Sequence, residues 1–190
     1  MRVLVACEFS QVVVGAFRAK GHEAYSCDIL PTEGNPNWHI QDNILNHLSD
    51  KADVVIAHTP CTYSCNSGVR WLFNNGLKVK DRWNKMYEMV NLFNTIYYNP
   101  NWKKICMENP IPHKYAELPP YTQIIQPWQF GHGETKATCL WLKNLPKLIP
   151  TKIVGGREHR IHKMSPSKNR GHERSRFYTG FAEAMTQQWG

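Results

Sequence analysis

Two hydrophobic rhythms alternate along this chain. Short unbroken apolar runs, Arg2-Val3-Leu4-Val5-Ala6-Cys7 and Asp53-Val54-Val55-Ile56-Ala57, have the length of strands and no polar alternation. A strand covered on both faces has no polar side to display, so these runs suit the middle of a parallel sheet. Other stretches have helical spacing. Ser10 to Lys20 follows the first run, with Ser10 in the N-cap position and Gly21 as the stop. From Asp81 to Tyr98, apolar residues at Trp83, Met86, Tyr87, Val90, Phe93, Ile96 and Tyr97 fall on one helical face. Further strands are expected at Glu23 to Cys27, Trp38 to Gln41, Lys104 to Met107, Gln123 to Gln126 and Ala137 to Leu142. A short helix is expected at Ile44 to Leu48 and a closing one at Tyr178 to Trp189. Strands alternating with helices predict an α/β fold, a mainly parallel sheet of about seven strands flanked by helices.

Ligands of such sheets lie beyond the carboxyl ends of the strands. The residues just past those ends are Glu8-Phe9-Ser10, Asp28, Asp42, His58-Thr59-Pro60-Cys61 and Glu108-Asn109-Pro110. Acids, a cysteine and a histidine are thereby gathered into one crevice. Any of them alone would be an ordinary structural or solvated residue; together they are candidate chemistry. An acid in the position of Asp28 can accept both hydroxyls of a ribose, although Asp-x-Leu-Pro is also a turn sequence. Asp42 stands in Gln-Asp-Asn, which serves equally as a helix N-cap.

The 190 residues are 42% hydrophobic and 20% charged, which excludes disorder and collagen-like structure and suits a single domain. The apolar runs are too short to span a bilayer and no charged-then-apolar leader is visible. A cytoplasmic protein with no membrane partner is expected. The six cysteines are expected reduced, and Cys61 and Cys65 lack a second close Cys/His pair for zinc, so no metal is expected. Cys65 is open between a second thiol of the site and a packing residue. Charge adds a polyanion to the picture. Between Thr151 and Arg176, eight basic residues, Arg157, Arg160, Lys163 and Lys168 among them, face only Glu158 and Glu173, so +6 of the net +8 lies there. A basic, Gly/Pro-punctuated segment reads as a loop against nucleic acid, or as a solvated surface loop. Arg70 with Trp71 and Phe73 could contact phosphate and stack on a base, or form a packed helix face. Pro127 to His132 is a rigid aromatic turn placed to wall a base pocket.

Pro60-Cys61 at one strand end, followed by Glu108-Asn109 at the next long one, closely resembles the cytosine-5 DNA methyltransferases. There a Pro-Cys motif carries the nucleophile and a Glu-Asn motif the carboxylate that holds the base. The resemblance covers nearly the whole chain in the family's order. It implies a Rossmann-like class I methyltransferase fold and S-adenosyl-L-methionine as cofactor. Val3 to Gln11, with Glu8, Phe9 and Ser10, matches the first cofactor motif; Asp28 matches the ribose acid, Asp42 the residue near the adenine, and Pro60 the cofactor side of the cysteine. Thr135-Lys136-Ala137-Thr138 is similar to the late basic motif, which puts Lys136 and Thr138 with Asn109 against the substrate. Phe177 to Gly190 is similar to the final motif. Pro-Cys-Thr-Tyr with Asn66 to Leu72 more narrowly resembles small, often phage-borne members, which would place the protein in a host cytoplasm. Departures stand beside these matches. Gln11 replaces a glycine, the late motif lacks its arginines, and 26 residues replace a target-recognition domain, so residues 1–190 read as one catalytic domain.

The implied chemistry needs these residue types. C5 of cytosine is a poor nucleophile until a thiolate adds at C6, which Cys61 would do. A carboxyl group at N3 and the exocyclic amine, Glu108, would stabilise the developing charge and read the base. Two other functions stay open: the same chemistry on a free pyrimidine nucleotide or RNA, and a non-catalytic DNA-binding relative. The sequence leaves the oligomeric state open.

Overall fold

A computed structural model describes residues 1–168 and 170–190. Seven strands form one sheet: β1 (Arg2–Ala6), β2 (Glu23–Asp28), β3 (His39–Gln41), β4 (Val54–Ala57), β7 (Ile105–Pro110), β8 (Gln123–Ile125) and β9 (Thr138–Lys143). Their order is β3-β2-β1-β4-β7-β9-β8. The first five are mutually parallel, and β9 runs antiparallel to both of its neighbours. The sheet is therefore mixed. Successive strands step from β1 to β3 in one direction, then β4 returns to the other side of β1. That reversal opens a crevice at the carboxyl ends of β1 and β4.

The apolar runs are covered on both faces, as their composition requires. Val3, Val5, Val54 and Ile56 point to one side and pack with Val13, Val14 and Phe17 of α1 (Val12–Ala19) and Phe181, Ala182 and Met185 of α5 (Thr179–Trp189). Leu4, Ala6, Val55 and Ala57 point to the other and pack with Phe93 and Ile96 of α2 (Lys80–Tyr97), Trp102 and Trp141. A small hairpin, β5 (Phe73–Asn74) and β6 (Leu77–Lys78), was not anticipated. Its turn residues Asn75 and Gly76 both have positive φ, 48° and 79°, the geometry that makes Asn-Gly a hairpin signal.

Five expectations are corrected. The cap of α1 is Gln11, not Ser10, because the Glu8 carboxylate reaches into the first turn and accepts Val13 N at 2.8 Å and Val14 N at 3.3 Å. Trp38 belongs to a 3-10 turn, Pro36–Trp38, and Ile44–His47 is a 3-10 turn as well. Glu108, Asn109 and Pro110 lie within β7, since the β9 ladder continues three residues past the point where β4 stops. The basic segment is more than a loop: it contains α3 (Arg160–Lys163) and α4 (Arg170–Ser175) and is anchored to the 130–134 loop by bridges Phe130–Lys152 and Glu134–Glu158.

Candidate active site

A cavity of about 520 Å3 occupies the crevice at the strand ends, within the size range of small-molecule sites. Each of β1, β2, β3, β4 and β7 delivers its carboxyl-end residues to it. Cys61, Pro60, Glu108, Asn109, Glu8, Phe9, Ser10, Asp28, Asp42 and Lys136 all line it.

The cysteine loop is shaped by close packing. Gly68, in a 3-10 turn over Asn66–Leu72, lies so near the Thr62 carbonyl that a Cβ would clash with its oxygen. Cys61 and Cys65 share a hydrogen bond, and Cys65 Sγ also lies 3.1 Å from Ser67 Oγ. The Cys61 bond, with help from Ser67 and Gly68, brings the Cys65 thiol down to about 5. The same bond, then burial and the Glu108 charge, pushes the Cys61 thiol well up. The interaction thus favours the ionised form at Cys65 and the protonated form at Cys61. All six cysteines are free.

Glu108 is paired with a residue to which the sequence assigned no role. His58 Nδ1 lies 3.0 Å from Glu108 Oε2. Burial alone would raise the carboxyl, but the His58 hydrogen bond, its charge and that of Lys136 outweigh it and hold Glu108 below the usual range. A carboxylate only accepts, so Nδ1 carries the hydrogen. His58 Nε2 is buried and without a partner among the described residues. Asn109 donates to Thr59 Oγ1 at 2.9 Å, tying β7 to the loop before Cys61.

On the other side of the cavity, Asp28 uses one oxygen to accept Leu30 N at 2.9 Å, and its second oxygen has no hydrogen-bond partner among the described residues. Asp42 is largely committed: it accepts from Asn43 N at 2.7 Å and Asn46 Nδ2 at 3.0 Å and meets His47 Nε2 at 3.1 Å. These partners hold its carboxyl low. Glu8 is buried against the first turn of α1, and burial pushes its carboxyl up against the pull of His58. Gln11 retains the left-handed backbone a glycine would favour, φ 58°. Its amide compensates by donating to Ser26 Oγ at 3.1 Å and Asn35 O at 3.0 Å and accepting Asn35 N at 2.7 Å.

Six residues expected to contact substrate lie outside the cavity. Arg70 lies over Trp71, 4.4 Å from the ring, in a separate surface depression. Thr138 is buried in β9 and donates to the Lys136 carbonyl. Arg157 stacks on Trp128 at 3.9 Å, and Arg160 bonds Glu134 at 3.0 Å. Lys163 and Lys168 are exposed on the basic segment. The Pro127 turn is also elsewhere, with Phe130 buried against Phe181. Conversely, His172, Arg174, Arg176 and Phe177 line the cavity unanticipated. No local pattern could have found them, since His172 meets Glu33 across 139 positions of sequence.

Among the described residues, no group of three or more His, Cys, Asp or Glu could hold a metal, and no helix is long and apolar enough to cross a membrane. Neither a protein-family model nor a curated protein matches the chain. In fold it is similar to a solved structure of a proposed DNA modification methyltransferase encoded within an E. coli prophage, at 12% identity and a TM-score of 0.49. That likeness covers 87% of this chain and 55% of the other, so this chain spans about half its length. A likeness this distant carries no inference about activity.

Proposed function

We propose that the protein transfers a methyl group from S-adenosylmethionine to C5 of cytosine in DNA, through a covalent adduct on Cys61. One observation carries the reading. Cys61 and Glu108, 47 positions apart, face one cavity with the ribose-competent Asp28 at the switch point of an α/β sheet. The cavity fits the cofactor: Asp28 keeps a free oxygen for ribose hydroxyls, and Phe9, Ile29 and Ile44 supply apolar wall. When bound, the cofactor supplies the electrophilic methyl group.

The chain's own residues do the rest. Cys61 passes its proton to Cys65 within the shared hydrogen bond, and its sulfur adds at C6. Electron density moves to C5, and the sulfur leaves again once water has taken the C5 proton. Glu108 accepts the exocyclic amine hydrogen, and the N–H of His58 keeps the carboxylate oriented toward the base. Lys136 adds positive charge where negative charge builds up on the ring.

The test is incubation of cytosine-containing DNA with labelled cofactor and nucleoside mass spectrometry. Label in 5-methylcytosine is expected, with none after Cys61→Ser. A 5-fluorocytosine substrate should become attached to Cys61, because fluorine cannot leave as a proton does. An adduct on Cys65 would refute the assignment.

A second reading, a free pyrimidine nucleotide as substrate, is favoured by one observation. Arg157 and Arg160 are engaged within the protein, which leaves fewer cations for a polymer. Equal turnover of the nucleotide and of DNA would select it.

A further inference from the structure

Arg174 and Arg176 line the cavity, yet among the described residues neither is in an ion pair. Guanidinium groups on a cavity wall with no carboxylate partner are free to take an anionic group in bidentate hydrogen bonds. The segment that carries them is fastened across the cavity at three points. His172 Nε2 meets Glu33 Oε1 at 2.6 Å, and its ring packs on Phe9 with centroids 5.6 Å apart. Lys136 Nζ donates to the Arg176 carbonyl at 3.3 Å. The Phe177 ring packs on His58 at 4.6 Å. The first fastening lies on the cofactor side and the other two on the reactive side. The two arginines are held between them.

We propose that residues 172–177 form a strap whose Arg174 and Arg176 are an anion subsite, and that its ligand is the carboxylate at the amino-acid end of the cofactor. The inference rests on the cofactor assigned above. The other acids of the cavity decide which anion is meant. Asp28 and Asp42 line it as well, and Glu33 is already paired with His172, so a chain of phosphates laid along it would meet carboxylates. A ligand with hydroxyls at one end and a single carboxylate at the other meets complementary groups at both.

The experiment is calorimetry on the full chain with two probes, S-adenosylhomocysteine and 5′-methylthioadenosine, which lacks the amino-acid end. The wild type should bind both. Arg174→Ala with Arg176→Ala should weaken S-adenosylhomocysteine about 10- to 100-fold, the loss of hydrogen bonds to a charged group. Binding of methylthioadenosine should be unchanged, which also shows that the variant is folded. Arg174→Lys with Arg176→Lys should recover part of the loss. Equal weakening of both probes would overturn the subsite and leave the strap as a wall. Unchanged binding of both, with weaker binding of a short oligonucleotide, would give the arginines to substrate phosphate and also overturn it. A wild type that binds neither probe would refute the cofactor reading and this inference together.

Discussion

Removal of Cys65 tests whether Cys61 is activated by its neighbour. In the intact pair the first proton is lost near pH 5, at Cys65, and the second well above the ordinary thiol value. Between pH 6 and 8 the pair therefore keeps one charge, and the fraction of Cys61 present as thiolate is constant. Its reactivity should be flat across that range. In Cys65→Ala the shared hydrogen bond is gone, while burial and the Glu108 charge still hold the Cys61 thiol up. Its thiolate fraction then rises tenfold for each pH unit, about 100-fold from pH 6 to 8. The readout is the rate of iodoacetamide alkylation at Cys61, followed by peptide mass spectrometry. It is independent of substrate, and Cys65, only 6% exposed, is quantified as a separate peptide. A wild-type rate that climbs tenfold per unit, or a variant profile as flat as the wild type, would refute the shared proton.

Glu108→Gln should lower the single-turnover rate at least tenfold with cofactor affinity preserved, read by rapid-quench kinetics and calorimetry, since the amide keeps the shape and loses the charge. Glu108 is held below its unfolded value, so its stabilising contribution is complete above about pH 4.5 and is lost as pH falls through the lower folded value. His58→Asn removes the first-ranking restraint on that carboxyl, and acid unfolding followed by circular dichroism should move to higher pH; an unmoved midpoint would separate the two residues. Gly68→Ala forces a Cβ against the Thr62 carbonyl, and Cys61 alkylation should change while the melting temperature falls. Trp141→Ala empties a fully buried site and frees the Pro119 carbonyl that its indole N–H reaches at 2.6 Å; a loss of about 3–5 kcal/mol in urea unfolding is expected.

The unbroken runs at Val3–Ala6 and Val54–Ala57 determined by themselves that two central strands are covered on both faces. The helical rhythm from Trp83 to Tyr97 likewise marked α2. Local signals of this kind survive because hydrophobic burial acts on side chains a few residues apart. From strand ends followed the gathering of Cys61, Glu108, Asp28 and Asp42, since a parallel sheet brings all its carboxyl ends to one edge. Other features needed the folded chain. Glu108 sits inside β7 because Leu140 of β9, 32 residues further on, pairs with it. Gln11 does the work of a glycine through hydrogen bonds to Ser26 and Asn35, neither adjacent in sequence. The basic segment counted as free charge, but stacking on Trp128 and pairing with Glu134 engage Arg157 and Arg160. Its far end supplies two arginines to a cavity assigned to residues much earlier in the chain. Charge in a sequence has no direction. Where a long cationic side chain comes to rest depends on which aromatic faces and carboxylates the tertiary fold brings within its reach.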